Sequence, residues 1–384
     1  TYTFEQFEAL FKRPDMIKER LSGNFDVGKP APEITMPPSV EISENPFFME
    51  TDMRTHELLI NASSTRIVKS IRIFNNGKPL RTIKIDEKEK ELAVDVPLTG
   101  GSNRITVVSY DDRGFSSNPK YIDIICNDPN ISKPNLYILG IGVSNYPLLS
   151  RRWQLEFADK DAKTLIATFK HQEGKHFNNV ESNLLLNRNA TPENIVLGLH
   201  ALRNINDNDI VLIFMAGHGV MDHKGQFFFL SSDGTFDHPR EGGIDWLTLT
   251  DHISEIKGRV IMFIDACHSG GIVTETVVPN DELAQGFFSG KRGGVMVFSA
   301  SKGRQYSFES PDIGNGAGIF TYAITQGVGP KSKIADTNGN GFIEFMELVD
   351  FVTYFVNIET EGLQTPWLSR RELFGDLPIA VVSN

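Results

Sequence analysis

The sequence predicts an all-β segment followed by a larger α/β domain on a mostly parallel sheet flanked by helices. Three observations carry that reading. From about Val40 to Ile125, short alternating strands follow one another with Gly, Asn and Asp turns and no helical spacing between them. After "NDPNISKP", near-continuous apolar strands alternate with amphipathic helices, the pattern of a sheet covered on both faces. Two strand ends of this second region, "IVLIFMAGHG" and "VIMFIDACHSGG", run into glycine turns, and ligands of open α/β sheets bind beyond the carboxyl ends of strands.

In chain order, residues 1–39 combine "FEQFEALFKRPDMIKERL", at helical spacing, with the Pro-rich linker "GKPAPEITMPP". Residues 40–128 hold "ELLINAS", "SIRIFNNG", "ELAVDVPL" and "NRITVVSYDDRG", read as an immunoglobulin-like β-sandwich without the Cys-Trp-Cys signature of antibody domains. Residues 133–384 form the α/β domain. Its strands are "NLYILGIGVS", "NVESNLLL", "DIVLIFMAGHG", "GQFFFLSS", "RVIMFIDAC", "GGVMVFSAS" and a last "LPIAVVS". Its helices are "FADKDAKTLIATFKHQ", "TPENIVLGLHALRNI" opened by Thr191 and Pro192, "WLTLTDHISEIKG", "GIFTYAITQG" and "FMELVDFVTYFV".

Composition excludes several function classes. Thirty-eight basic against 49 acidic residues leave a net charge of −11, the wrong sign for broad binding to nucleic acid or anionic membranes. No window reaches about 18 uninterrupted apolar residues, and "TYTFEQFEALFKRPD" lacks the basic start and apolar run of a signal peptide. The chain begins without Met and so reads as a fragment, with cytoplasmic localisation as the expectation. Two cysteines, Cys126 and Cys267, are too few for a disulfide framework, which favours a reducing compartment.

Cys126 ends an alternating strand and reads as a small buried hydrophobe. Cys267 ends a buried strand and is followed by "HSGG", which turns the chain away at the sheet edge. A thiol needs a base to become a thiolate at neutral pH, and His218 at the end of another strand supplies one if the two strands are neighbours. The backbone N–H groups of Gly219 and Cys267 would then form an oxyanion hole. Phosphatase chemistry would need Arg six residues after the Cys, where Val273 stands. A zinc site would need three or four convergent ligands, and the other histidines are scattered. Ser269 lacks the G-x-S-x-G elbow.

Strand–GHG followed about fifty residues later by strand–DACHSGG resembles the bacterial caspase-like cysteine peptidases, with the related metacaspases and paracaspases, over roughly Lys133 to Asn384. The resemblance implies a caspase-hemoglobinase fold with His218 and Cys267 as a catalytic dyad. It also implies an S1 pocket in which Asp161, Asp265 and Glu309 take the positions that read the residue before the cut. Three acids there call for a guanidinium or ammonium, and a planar fork engages two carboxylates at once, so Arg is expected over Lys. Tyr306, Ser307 and Phe308 resemble the family's substrate-binding segment, where a peptide pairs as a strand, while the two aromatics read equally as core. The segment from Gly270 to the next strand falls where caspases carry an intersubunit linker, and a self-cut after Lys291 or Arg292 suits a basic specificity.

"DTNGNGFIEFME" matches an EF-hand loop, with side-chain ligands Asp336, Asn338, Asn340, Glu344 and Glu347 and the carbonyl of Phe342. "GVGPKSKIA" before it is a poor entering helix and no second loop pairs with it, so a Ca2+ loop and a Gly-rich turn capping the next helix stand as equal readings. The peptide chemistry itself requires no cofactor. The expected partner is a peptide or protein with exposed Arg or Lys. The opening segment resembles the stretch found after β-propeller repeats in some bacterial caspase-like proteins, which implies an upstream sensor domain. The rival function is a non-catalytic caspase-like scaffold that binds partners through its groove or sandwich.

Overall fold

Alternation of apolar and polar residues builds the first of two units, Thr1–Ile131, from β1 (Ser39–Ile42), β2 (Phe48–Thr51), β3 (Thr55–Asn75), β4 (Lys78–Pro97), β5 (Gly101–Asp111) and β6 (Lys120–Cys126). The computed structural model describes residues 35–43, 48–224, 226–267, 295–301, 305, 307–370 and 376–383. The helix expected near the amino terminus lies outside these residues. The hairpin between β3 and β4 closes through Asn76 and Gly77, both at positive φ (47° and 74°), as a two-residue type I′ turn requires. The strands run in the order β1-β3-β5-β6-β2, with β4 also on β3. β3 pairs with β1 in its first half and with β5 in its second, with register breaks between Ser63 and Ser70. Leu58, Ile60, Ile71, Ile73, Ile105 and Val107 are buried in its core, where Cys126 is also buried.

The second unit, Ser132–Asn384, opens with β7 (Leu136–Gly142), α1 (Ala158–Lys170), β8 (Val180–Leu186), α2 (Pro192–Ala201), β9 (Ile210–Met221) and β10 (Phe227–Leu230). It continues with α3 (Pro239–Gly242), β11 (Gly243–Asp245), α4 (Trp246–Ser254), β12 (Arg259–Cys267) and β13 (Val295–Ser299). The remainder comprises β14 (Glu309–Ser310), β15 (Ala317–Gly318), α5 (Ile319–Val328), α6 (Ser332–Ala335), β16 (Phe342–Glu344), α7 (Phe345–Glu359), β17 (Trp367–Arg370) and β18 (Pro378–Val381). The pairs β7–β8, β7–β9, β9–β12 and β12–β13 are parallel, whereas β10, β11 and β17 join antiparallel.

Successive residues of a strand face opposite sides of its sheet, and here both sides are cores. Leu212 and Phe214 pack with Leu165 of α1, Phe320 of α5 and Leu348 of α7. Val211 and Ile213, one residue out of step, pack with Leu199 of α2 and Leu249 of α4. This explains the near-continuous apolar strands in the sequence. Thr191 caps α2 by accepting the Asn194 N–H at 3.2 Å, with Pro192 in the first turn.

Two strands distribute differently from the order in which the sequence presents them. "LPIAVVS" supplies β18, which pairs with β16 in a separate two-stranded ribbon, and the edge beside β13 is β17. Four residues just after Pro366 give β17 too short a run for periodicity to mark. The ribbon is tied down by Gln172, whose side chain accepts the Val381 N–H at 2.8 Å, and by His176, whose Nε2 lies 2.9 Å from the Pro378 carbonyl oxygen.

Candidate active site

The apolar strands β9 and β12 lie side by side and in register from Ile210 opposite Arg259 to His218 opposite Cys267. The two residues singled out in the sequence therefore stand level on adjacent strands, but the turn expected after His218 is not found: β9 runs on through Gly219 to Met221, where it pairs with β10. Cys267 is described at its backbone. A Cβ at Gly219 would lie 2.6 Å from the Phe227 ring, so a side chain there would require that ring to move.

The imidazole of His218 is buried and held from three sides. Nε2 lies 2.6 Å from the Trp153 carbonyl oxygen. A carbonyl can only accept, so Nε2 carries the proton and Nδ1 is the basic nitrogen. The Tyr146 ring stacks on it at 4.5 Å, and the Tyr146 hydroxyl accepts the His218 backbone N–H at 2.8 Å. Phe236 packs at a 5.5 Å centroid distance. Burial pushes the pKa of His218 down to about 4, against the raising effect of the bond to Trp153. The ring is neutral at physiological pH.

Gln154 shapes the loop that presents this carbonyl. Its side chain accepts the Tyr146 N–H at 2.7 Å and donates to the carbonyls of Tyr146 and Leu149 at 2.9 and 3.2 Å. Tyr146, Trp153 and Gln154 carry no signal in the sequence that marks them for the site. Trp153 acts through its backbone carbonyl, which every residue type carries, so no motif reveals it.

The three acids meet around one glycine. Asp161 lies in the first turn of α1, Asp265 near the end of β12 and Glu309 at the start of β14. The Gly318 N–H donates to Asp161 Oδ2 at 2.9 Å. A Cβ built on Gly318 would lie 2.6 Å from Asp161 Oδ2 and 3.1 Å from Asp265 Oδ2, so both carboxylates press on this residue. Glu309 pairs with Gly318 across the β14–β15 ladder and accepts the N–H groups of Glu156 and Phe157 at 3.1 and 3.2 Å. Burial, and then the charge of Asp265, hold the Asp161 carboxyl well above the usual range, with Glu309 adding to the effect. The pKa of Glu309, which keeps some solvent exposure, is also raised, by desolvation first. Asp161 is the buried member of the three, Asp265 is half-buried and Glu309 is exposed, and it is Asp161 that the charges of the other two disfavour.

Ser307 donates its hydroxyl to Asp265 Oδ1 at 2.6 Å, and Phe308 packs partly against the main core. Tyr306, Lys291 and Arg292 lie outside the described residues.

The EF-hand-like segment is wound around its own acids. Asp336 accepts the N–H groups of Gly339, Asn340 and Gly341 at 2.8 to 3.2 Å. Glu347 accepts those of Thr337 and Asn338 at 2.9 and 3.1 Å, and Glu344 with Glu347 forms a capping box on α7. Asn338 and Asn340 donate to Glu344 at 3.1 and 2.8 Å, while Phe342 pairs with Val381. These bonds cap α7 and hold the acids of the loop together. Among the described residues, no three His, Cys, Asp or Glu side chains are grouped to hold a metal ion.

The profile of the caspase domain family, peptidase family C14, matches residues 137–378. No curated protein matches the chain. Among solved structures, a Geobacter sulfurreducens protein from structural genomics superposes with a TM-score of 0.44 and 16% identity, covering 65% of this chain and 100% of that one. A fibronectin(III)-like module of Clostridium thermocellum CbhA gives a TM-score of 0.20 and 16% identity, covering 23% of this chain and 96% of that one. Among the described residues, no helix is long and apolar enough to cross a membrane.

Proposed function

Since this chain belongs to the caspase domain family of cysteine peptidases, we propose that it is an endopeptidase that cuts after Arg, and less readily after Lys. The observation that carries this reading is the convergence of Asp161, Asp265 and Glu309 around Gly318, with Asp265 two residues from Cys267 on the same strand end.

In the proposed reaction, Nδ1 of His218 takes the thiol proton of Cys267 and the thiolate attacks the scissile carbonyl. The N–H groups of Gly219 and Cys267 stabilise the oxyanion. His218 returns its proton to the leaving amine, and water then releases the acyl group from Cys267. The neutral ring, oriented by the Trp153 carbonyl, supports this assignment. We also assign the self-cut to Lys291 or Arg292, and read the first unit as an immunoglobulin-like sandwich, a reading supported by β3, which changes partners from β1 to β5 along its length.

A panel of fluorogenic peptides with Arg, Lys or Asp before the cut, assayed with and without calcium, tests the reading. Turnover of Arg ahead of Lys and none of Asp is expected. No turnover of any peptide would favour a partner-binding scaffold instead.

A further inference from the structure

The segment that follows α7 is tied to the substrate-facing chain by two glutamine side chains running in opposite directions. Gln305 accepts the Thr365 N–H at 2.9 Å and donates to Thr365 Oγ1 at 3.4 Å. Gln364, fully buried, reaches the other way. Its Oε1 accepts the Phe308 N–H at 2.8 Å, and its Nε2 donates to the Ala300 carbonyl oxygen at 2.8 Å and to Ser307 Oγ at 3.3 Å. Its own N–H donates to Thr360 Oγ1 at 3.1 Å, which anchors it to the end of α7.

These bonds have only one consistent direction. A carbonyl fixes where the Gln364 amide nitrogen points, and an N–H fixes where its oxygen points. Ser307 Oγ, receiving a proton from Gln364, turns its own proton to Asp265 Oδ1. Asp265 Oδ2 is then the oxygen set against Gly318 beside Asp161. We propose that Gln364 is a positioning residue for specificity: its amide orders the Ser307–Phe308 backbone and, through the Ser307 hydroxyl, the acid that reads the basic side chain. The inference rests on the peptidase reading above.

No other side chain of this size meets these demands. Glu, when ionised, keeps the acceptor for Phe308 but loses both donors. Leu keeps the bulk and loses every bond.

Gln364→Leu and Gln364→Glu test the idea by two readouts. Hydrogen exchange of the peptide segment holding Phe308 should quicken by roughly tenfold or more in the Leu variant and much less in the Glu variant. With an Arg peptide, KM should rise about tenfold in both, with kcat and the rate of Cys267 alkylation by iodoacetamide within about threefold of wild type. The Glu variant should recover only part of the wild-type KM as pH falls, because a neutral carboxyl has one proton and can donate to Ala300 or to Ser307 but not to both. Exchange unchanged in the Leu variant overturns the proposal, as does a fall in kcat and alkylation with KM unmoved. If the wild type turns over no basic peptide, the peptidase reading fails, and the exchange measurement alone decides whether Gln364 orders the segment.

Discussion

Nε2 of His218 and the carbonyl oxygen of Trp153 stand 2.6 Å apart. That contact leaves Nδ1 as the ring nitrogen available for proton transfer, while Tyr146 holds the backbone and one face of the same residue. In the proposed mechanism His218 is the base, and its partner opposite in the β9–β12 ladder is Cys267.

Cys267→Ala and His218→Ala should each lower turnover of an Arg peptide by about a thousandfold or more. The Cys variant should melt close to wild type, since the change removes little volume. Near-native turnover by Cys267→Ala would sink the mechanism.

Acid should weaken the fold through two histidines. His176 and His218 are both pushed down to about 4 by burial, from an ordinary 6.5. Above pH 6.5 each is neutral folded or unfolded. Between 6.5 and 4 only the unfolded chain takes up the proton, so stability falls by up to about 3 kcal/mol for each residue. Asp161, raised in the folded state, works with the opposite sign and gains stability as pH drops through its folded pKa. Urea unfolding of wild type and His176→Gln at pH 7 and 4.5 isolates one histidine. The variant should lose less stability on acidification, and an equal loss would count against a neutral His176.

Asp161→Asn should separate stability from activity. The amide oxygen can still accept the Gly318 N–H, and the charge repelled by Asp265 disappears. We expect a gain of about 0.5–2 kcal/mol in unfolding free energy. We also expect a loss of about thirtyfold or more in kcat/KM for Arg, because an unpaired buried guanidinium costs about 2–5 kcal/mol. Asp265→Asn and Glu309→Gln should show the kinetic loss, with Asp265 largest. If Asp265→Asn leaves Arg and Lys peptides unaffected, the basic specificity is wrong even with Cys267 as nucleophile.

Gly318→Ala would place a methyl group 2.6 Å from Asp161 Oδ2 and 3.1 Å from Asp265 Oδ2. KM for Arg peptides should rise about tenfold or more, while iodoacetamide still labels Cys267 at the wild-type rate. Equal loss of labelling would show that the methyl group disturbs the dyad as well.

A cut after Lys291 or Arg292, mapped by intact mass, should appear in the wild type and be absent from Cys267→Ala. Cleavage in both would trace it to another protease.

The strand-end motifs are legible in the sequence because their chemistry lies in residue type and in apolar runs that stop abruptly. "DACHSGG" marks the end of β12 and "GHG" lies where β9 passes from β12 to β10, and parallel pairing of β9 with β12 supplies the register. The alternating first unit is legible for the same reason, down to the Asn76–Gly77 turn. The hidden features depend on contacts distant in sequence. Gln364 is 57 positions from Ser307, its hydrogen-bond partner, and a lone Gln after a helix carries no local signal. β17 is too short to announce itself, and the Trp153 carbonyl belongs to a group that every residue shares.

The ladder between β9 and β12 also bears on how such a chain can change over time. Nine consecutive rungs run from the floor of the sheet to the pair His218 and Cys267, and they act as a ruler. Dropping or adding one residue within either strand would move every later side chain to the opposite face and set His218 beside the wrong neighbour. The loop between β10 and α3, residues 231–238, lies outside these ladders. Variation in length is therefore expected to accumulate there, and a scan of single-residue deletions would trace the ruler as a sharp interval of intolerance.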